Sequence, residues 1–167
     1  MSNYLFAYGS NKSIHQIHEL ITQEHPNNSE ITVLDTKNNT SVLTVSRTKS
    51  IFEIDEAIHF FKGWFQDHES RGIVLGGNGF EDWVKDGVNR ELVTKTDYEG
   101  AYVSAIFSDE KLSVRNDTFS YLPVIHFSSK KLFVCSDSMY IISEVRKALG
   151  MPCKLNKKVM HSRAWTH

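Results

Sequence analysis

Residues 100–137 read GAYVSAIFSDEKLSVRNDTFSYLPVIHFSSKKLFVCSD. These are short apolar runs rich in Val, Ile, Tyr and Phe, broken by polar turn clusters, the pattern of adjacent antiparallel strands. The run 101–107 has too few polar residues to alternate, so it reads as a central strand covered on both faces. Ser108-Asp109-Glu110-Lys111 has turn chemistry, 112–115 is a return strand, Ser128-Ser129-Lys130-Lys131 turns again and 132–135 is the last strand. The expectation is a meander containing two hairpins.

Working outward, 4–8 reads as a short apolar strand ended by Gly9-Ser10-Asn11. A helix follows with Ser13 as N-cap and Ile14, Ile17, His18, Leu20 and Ile21 as its stripe, stopped by Pro26 and Asn27-Asn28. Segments 31–34 and 42–45 are strands joined by a Lys37-Asn38-Asn39-Thr40 turn. A strand over 57–65 carries Phe60, Phe61, Trp64 and Phe65. Gly76, Gly77 and Gly79 mark a bend before a helix around 80–85 that Gly87 ends, and 92–94 leads into the central segment. A last helix spans about 138–149, with Gly150 just past its end and Pro152 beyond. Strands flanked by an early, a middle and a late helix predict two antiparallel sheets with helices outside.

At 167 residues the chain fits one domain, with 1–150 as its body and 151–167 as a tail or linker. A formal charge of -1 supplies no electrostatic footprint for nucleic acid or anionic lipid, so neither is an expected partner. No apolar run reaches spanning length and no basic region precedes a long apolar one, which predicts a cytoplasmic protein. Cys135 and Cys153 read as reduced thiols, and His15 and His18 beside Glu19 as a solvated helix face. No cofactor or metal is expected.

Gly100 opening a strand, Arg115-Asn116-Asp117, Pro123 six residues after that aspartate, and Ser136-Asp137 before a helix are similar to the end of the glutaminase domain of asparagine synthetase and other class II glutamine amidotransferases. In that family the pattern is Gly at a strand start, Arg-Asp, a Gly, Pro-Leu-Tyr-Tyr, a hairpin and Ser-Glu before a helix. Departures are Asn116 between Arg and Asp, Ser120 in place of the Gly, and Val124-Ile125-His126 in place of Leu-Tyr-Tyr. The resemblance implies an α+β fold, the four-layer αββα sandwich of N-terminal nucleophile hydrolases. It extends from the start to about Gly150 and is strong only after Gly100.

The family nucleophile is an N-terminal cysteine whose own α-amine is the base. The matching position here is Ser2, which would serve only with Met1 removed; no cysteine precedes Cys135. A serine alcohol ionises far less than a thiol and depends more on its base, so Ser2 is expected to be inactive. The family's oxyanion-hole Asn-Gly is matched by Lys62-Gly63, replacing a fixed amide donor with a flexible cation. Arg47 matches the arginine that holds the substrate carboxylate, to which a guanidinium binds in bidentate fashion. The acid that binds the substrate amine has no counterpart, since the matching region is Gly76-Gly77-Asn78-Gly79. Nor is there a Ser-Gly-Gly-x-Asp-Ser segment for the pyrophosphate of ATP; Leu75-Gly76-Gly77-Asn78 lacks both hydroxyls and the aspartate.

The resulting expectation is a degenerate glutaminase-like domain with a structural, ligand-binding or partner-binding role beside an ATP-dependent amide-forming synthetase. Its expected ligand is a small carboxylate such as glutamine; if active, the chain would be a glutamine amidohydrolase. Leu5-Phe6-Ala7-Tyr8-Gly9-Ser10-Asn11 also resembles the opening of γ-glutamylcyclotransferases, in which Tyr-Gly-Ser binds substrate and a later glutamate is the acid/base. Glu53, Glu56 and Glu69 are nominated for that role by location only.

Overall fold

A computed structural model describes residues 4–24, 30–67, 72–86, 98–108, 111–129 and 131–151. Ser2, Glu69, Gly87, Cys153, the helix stop at 26–28, the segment 92–94 and the tail from Pro152 lie outside the described residues.

The described residues are α+β, with two antiparallel sheets and three α-helices. Strand β1 (Tyr4–Ser10) runs directly into helix α1 (Asn11–Glu24). The cap is not Ser13 but Ser10, whose Oγ accepts from Ser13 N at 3.3 Å, so the helix starts three residues earlier than the sequence suggests. β2 (Glu30–Thr36) and β3 (Thr40–Ser46) form a hairpin over the turn Lys37–Asn39, where Asn38 and Asn39 take φ of 63° and 57°. Asparagine tolerates that left-handed conformation because its short polar side chain bonds locally.

Two further strands escape sequence reading because each has only four residues: β4 (Ile51–Ile54) and β6 (Gly72–Leu75). Both pair with β5 (Ala57–Asp67), β4 through a tight turn at Asp55-Glu56 with φ of 48° and 63°. Helix α2 (Gly76–Lys85) takes in the glycines that the sequence marks as a bend. Gly76 enters it at φ 63°, and Gly77 packs so closely that a Cβ there would stand 2.1 Å from the Lys49 carbonyl.

Residues 100–137 are divided between the two sheets. β7 (Glu99–Ser108) and β8 (Lys111–Asn116) pair in one, while β9 (Ile125–Ser129) and β10 (Leu132–Ser136) pair in the other. The two hairpins are present, but the continuous meander is not, because the connection after β8 changes sheet. One sheet has the order β2-β3-β1-β10-β9; the other has β4-β5-β7-β8, with β6 also on β5. β7 is central, as its lack of alternation suggests. Helix α3 (Met139–Ala148) closes the fold, with Ser138 accepting from Ile141 N and Gly150 at φ 67° beyond its end.

Three apolar clusters order these elements. Tyr4, Phe6, Val42 and Cys135 of the first sheet share a core with Ile51, Ile58, Phe60, Val103, Ala105 and Phe107 of the second. On the other face of the first sheet, Leu5, Ala7, Leu43 and Val134 pack against Ile14, Ile17 and Ile21 of α1 and Ile141, Ile142 and Val145 of α3. On the other face of the second, Phe61, Phe65 and Tyr102 pack against Phe80, Trp83 and Val84 of α2. The alternation of β5 produces this directly: Phe60 faces the shared core and Phe61 faces α2, where it stacks on Phe80 at 4.4 Å.

The hydroxyl of Ser104, opposite Phe61, is buried with no hydrogen-bond partner among the described residues. Ser104→Ala removes an unpaired polar group and is expected to raise unfolding free energy by about 1 kcal/mol, read from the urea midpoint.

Burial pushes the Cys135 thiol from its ordinary 9.0 up to about 12. The folded protein thus keeps this proton in a range where the unfolded chain loses it. Below pH 9 the thiol has no effect on the balance, and between about 9 and 12 stability falls as pH rises, by at most about 1.4 kcal/mol per pH unit. In a Cys153→Ser background, a disulfide reagent at pH 8 should modify Cys135 only at the rate of unfolding, and Cys135→Ala should flatten the alkaline decline.

Candidate functional site

Antiparallel pairing brings four chain segments to one end of the shared core. Tyr4 at the start of β1 is registered with Ser46 at the end of β3, and its neighbour Leu5 with Ser136 at the end of β10. On the facing sheet, Lys62 and Gly63 of β5 are registered with Val103 and Tyr102. Arg47 and Thr48 follow β3, and Asp137 follows β10.

Each side chain here has an identifiable support. Ser46 Oγ donates to the Thr48 carbonyl and accepts from the Ser50 hydroxyl at 3.0 Å; Phe61 N donates to the Ser50 carbonyl at 2.9 Å. The Arg47–Ser50 connection is therefore tied to both sheets. Lys49 extends from it to Glu81 of α2 at 2.9 Å, and Lys85 meets the same carboxylate at 2.7 Å. Ser136 Oγ donates to the Tyr4 carbonyl at 2.7 Å and accepts from Ser138 N at 3.1 Å, fixing where β10 gives way to Asp137 and α3. Tyr4 itself is buried, and its hydroxyl donates to the Pro123 carbonyl at 2.8 Å. Burial raises the phenol well above its ordinary range, with Cys135 and Asp137 adding to the effect. Tyr4 is a neutral anchor, not an acid–base group.

Lys62 points from β5 toward this end and lies 3.5 Å from Thr48 Oγ1. Partial burial lowers its pKa; Asp137 opposes that shift and Arg47 reinforces it. The three charges thus sense one another, and the structure brings together two of the residues singled out in the sequence, Arg47 and Lys62. Gly63 is beside them at φ 113°, where a Cβ would stand 2.0 Å from the Ala101 carbonyl and 2.9 Å from the Leu122 side chain. No other residue fits that strand contact. Asp137 and Thr48 were missed as site residues: neither has a motif that marks it, and their nearness depends on the pairing of distant strands.

Above the site lies the loop after β8, built by Asp117. Its buried carboxylate accepts from the backbone N–H of Tyr102 (3.3 Å), Phe119 (3.1 Å), Tyr121 (3.0 Å) and Leu122 (3.4 Å). Ser120 adopts φ 54° within this loop, and its Oγ meets Asn116 Nδ2 at 2.6 Å. Phe119 and Tyr121 project outward, mostly exposed, as do Met139 and Tyr140 at the start of α3.

The Tyr8-Gly9-Ser10 turn is at the opposite end of β1. Tyr8 packs on Phe107 at 4.6 Å, a Cβ on Gly9 would meet Leu132 at 2.7 Å, and Ser10 caps α1. Glu53 and Glu56, both exposed, belong to β4 and its turn in the other sheet. His15 pairs with Glu19 at 3.2 Å on the solvent face of α1. Among the described residues no group of three or more His, Cys, Asp or Glu side chains is arranged to hold a metal ion, and no helix is long and apolar enough to cross a membrane.

No family model, no curated protein and no solved structure matches the chain.

Removing the Asp117 carboxylate strands several N–H donors, one of them at the buried start of β7. Asp117→Ala is expected to cost about 2–4 kcal/mol, and Asp117→Asn, which retains one acceptor oxygen, about half of that. Urea unfolding of the two variants against the parent checks the order.

Proposed function

We propose that this chain is a glutaminase-like domain without a working nucleophile, which binds a small carboxylate or a partner instead of hydrolysing glutamine. Two antiparallel sheets with a common core and helices on both outer faces support that reading, since the αββα sandwich of N-terminal nucleophile hydrolases has this layering. More specific support comes from Ser120. It takes a left-handed φ of 54° at the position where the family pattern has glycine, so the loop keeps the conformation although the residue has changed.

The observation that carries the proposal is the composition of the end where β1 begins. Exposed Arg47 and Thr48 with partly buried Lys62 and Asp137 make a charged surface that suits a carboxylate. The thiol chemistry of the family is unavailable there, because the cysteine among the described residues, Cys135, is buried in the shared core. A lysine in the oxyanion-hole position attracts an anion, but it is not a preorganised amide donor aimed at a developing oxyanion. The expected partner is an ATP-dependent amide-forming synthetase, with the exposed Phe119, Tyr121, Met139 and Tyr140 around this end as contact surface.

Incubation with glutamine should release neither glutamate nor ammonia above the buffer rate, and Ser2→Ala should change nothing. Efficient turnover abolished by Ser2→Ala would overturn the proposal. Formation of 5-oxoproline from γ-glutamyl dipeptides would replace it with the cyclotransferase reading.

A further inference from the structure

Both sheets end on the same side of the molecule: β9 terminates one, β8 terminates the other, and a cavity of about 320 Å³ lies between them. Val114, Arg115, Asn116, Val124, His126 and Phe133 line it. Strand alternation explains this lining. On β9, Ile125 and Phe127 pack toward α1 and α3, so His126 between them is turned to the inter-sheet side. On β10, Phe133 shares that side with Cys135, and the His126 ring is inclined by only 23° to the Phe133 ring, with centroids 5.9 Å apart. Val114, Val124 and Phe133 are only partly buried against the shared core. Apolar surface is therefore left over on β8, on β10 and on the connection that crosses between the sheets.

The walls are held by bonds within the chain itself. Asp117 fixes the start of the connection through its four N–H partners, and the Tyr4 hydroxyl holds the Pro123 carbonyl, next to Val124, at 2.8 Å. Asn116 Nδ2 donates to Ser120 Oγ at 2.6 Å. A site ordered in advance loses little affinity to immobilising its own side chains. Ligand pockets run from about 300 to 1,000 Å³, so this one suits a compact body of one or two rings. The polar side chains of the lining are rich in donors: the Arg115 guanidinium, the Asn116 amide and the His126 imidazole, which carries an N–H in either protonation state. No carboxylate belongs to the described lining. We propose that the cavity binds a small aryl monocarboxylate, its ring against Val114, Val124 and Phe133 and its carboxylate at the mouth, on the exposed His126.

This inference does not rest on the glutaminase-like reading: the cavity opens at the lateral margin of the sandwich, and its described lining includes neither Arg47 nor Lys62. The full chain is titrated with 2-naphthoate while the valine methyl and backbone amide NMR signals are followed. Ring currents should move the methyls of Val114 and Val124 and leave those of Val42, deep in the shared core, in place. Naphthalene-2-methanol, which keeps the rings and lacks the charge, should bind about tenfold more weakly. His126→Phe preserves a flat wall and removes the donor, so it should weaken 2-naphthoate about tenfold and leave naphthalene-2-methanol unchanged. Val114→Trp, which fills the cavity, should abolish binding of both. Unmoved Val114 and Val124 methyls at saturating ligand overturn the proposal, as do shifts confined to the Thr48 amide, which would put the ligand at the end where β1 begins. Equal affinity for the acid and the alcohol overturns the assignment of the carboxylate. The methyl shifts are read on the unmodified chain, so a failure of Val114→Trp to fold does not protect the inference.

Discussion

The pairing of β5 with β7 is the constraint on which the rest of the structure depends. Two glycines placed out of register, Gly63 and Gly100, let the strands approach so closely that a Cβ at either would lie within 2.3 Å of the opposite carbonyl oxygen. Neither position tolerates a side chain, and Gly63 also needs its positive φ. The contact creates room for the bulky neighbours: Phe61, Phe65 and Tyr102 interlock on the α2 side with ring centroids 5.8–6.2 Å apart. On the inward side Phe60 meets Phe6 and Tyr4 of the other sheet at 5.1 and 5.8 Å. One strand therefore organises both aromatic cores, and the first residue past the inner core on that strand is Lys62. The position of the charged site follows from packing, not from local sequence.

Much of the fold was legible in the chain because it is written in short-range signals. Hydrophobic period marked α1 through Ile14, Ile17 and Ile21, and a serine followed by Gly150 twelve residues later bracketed α3. Asn38-Asn39 announced a turn that needs left-handed backbone. β4 and β6 were not legible, since four residues carry too little alternation to stand out. The α2 glycines were misread as a bend for a physical reason: glycine is a poor helix former, and here it is used for close contact between Gly77 and the Lys49 carbonyl. The change of sheet after β8 was hidden because hairpin patterns encode pairing with a neighbour and not the layer to which the pair belongs.

The site divides along the same line. Arg47 and Lys62 were found from the sequence because a family pattern supplied their spacing. Asp137 and Thr48 were not, because what qualifies them is an electrostatic relation to Lys62 across separate strands. Asp117 is intermediate. An aspartate before a polar turn is a familiar local signal, yet its acceptance of four N–H groups, including that of Tyr102 on β7, is a tertiary fact.

The two ends of β1 show how one strand can carry opposite demands. At Tyr8-Gly9-Ser10 the Tyr8 ring packs on Phe107, Gly9 makes a close contact with Leu132 and Ser10 caps α1. At Tyr4 the hydroxyl and carbonyl are engaged by Pro123 and Ser136, which fixes the segments that follow β8 and β10 beside the start of β1. Arg47, Lys62 and Asp137 then meet around that end with net positive charge. Two cations and one carboxylate leave an excess positive charge that a bound anion offsets, with Lys62 and Asp137 partly buried and Arg47 exposed. Partial burial is the main cause of the lowered Lys62 pKa, with Asp137 opposing the shift and Arg47 reinforcing it, and an anion bound beside the lysine returns it toward its ordinary protonation.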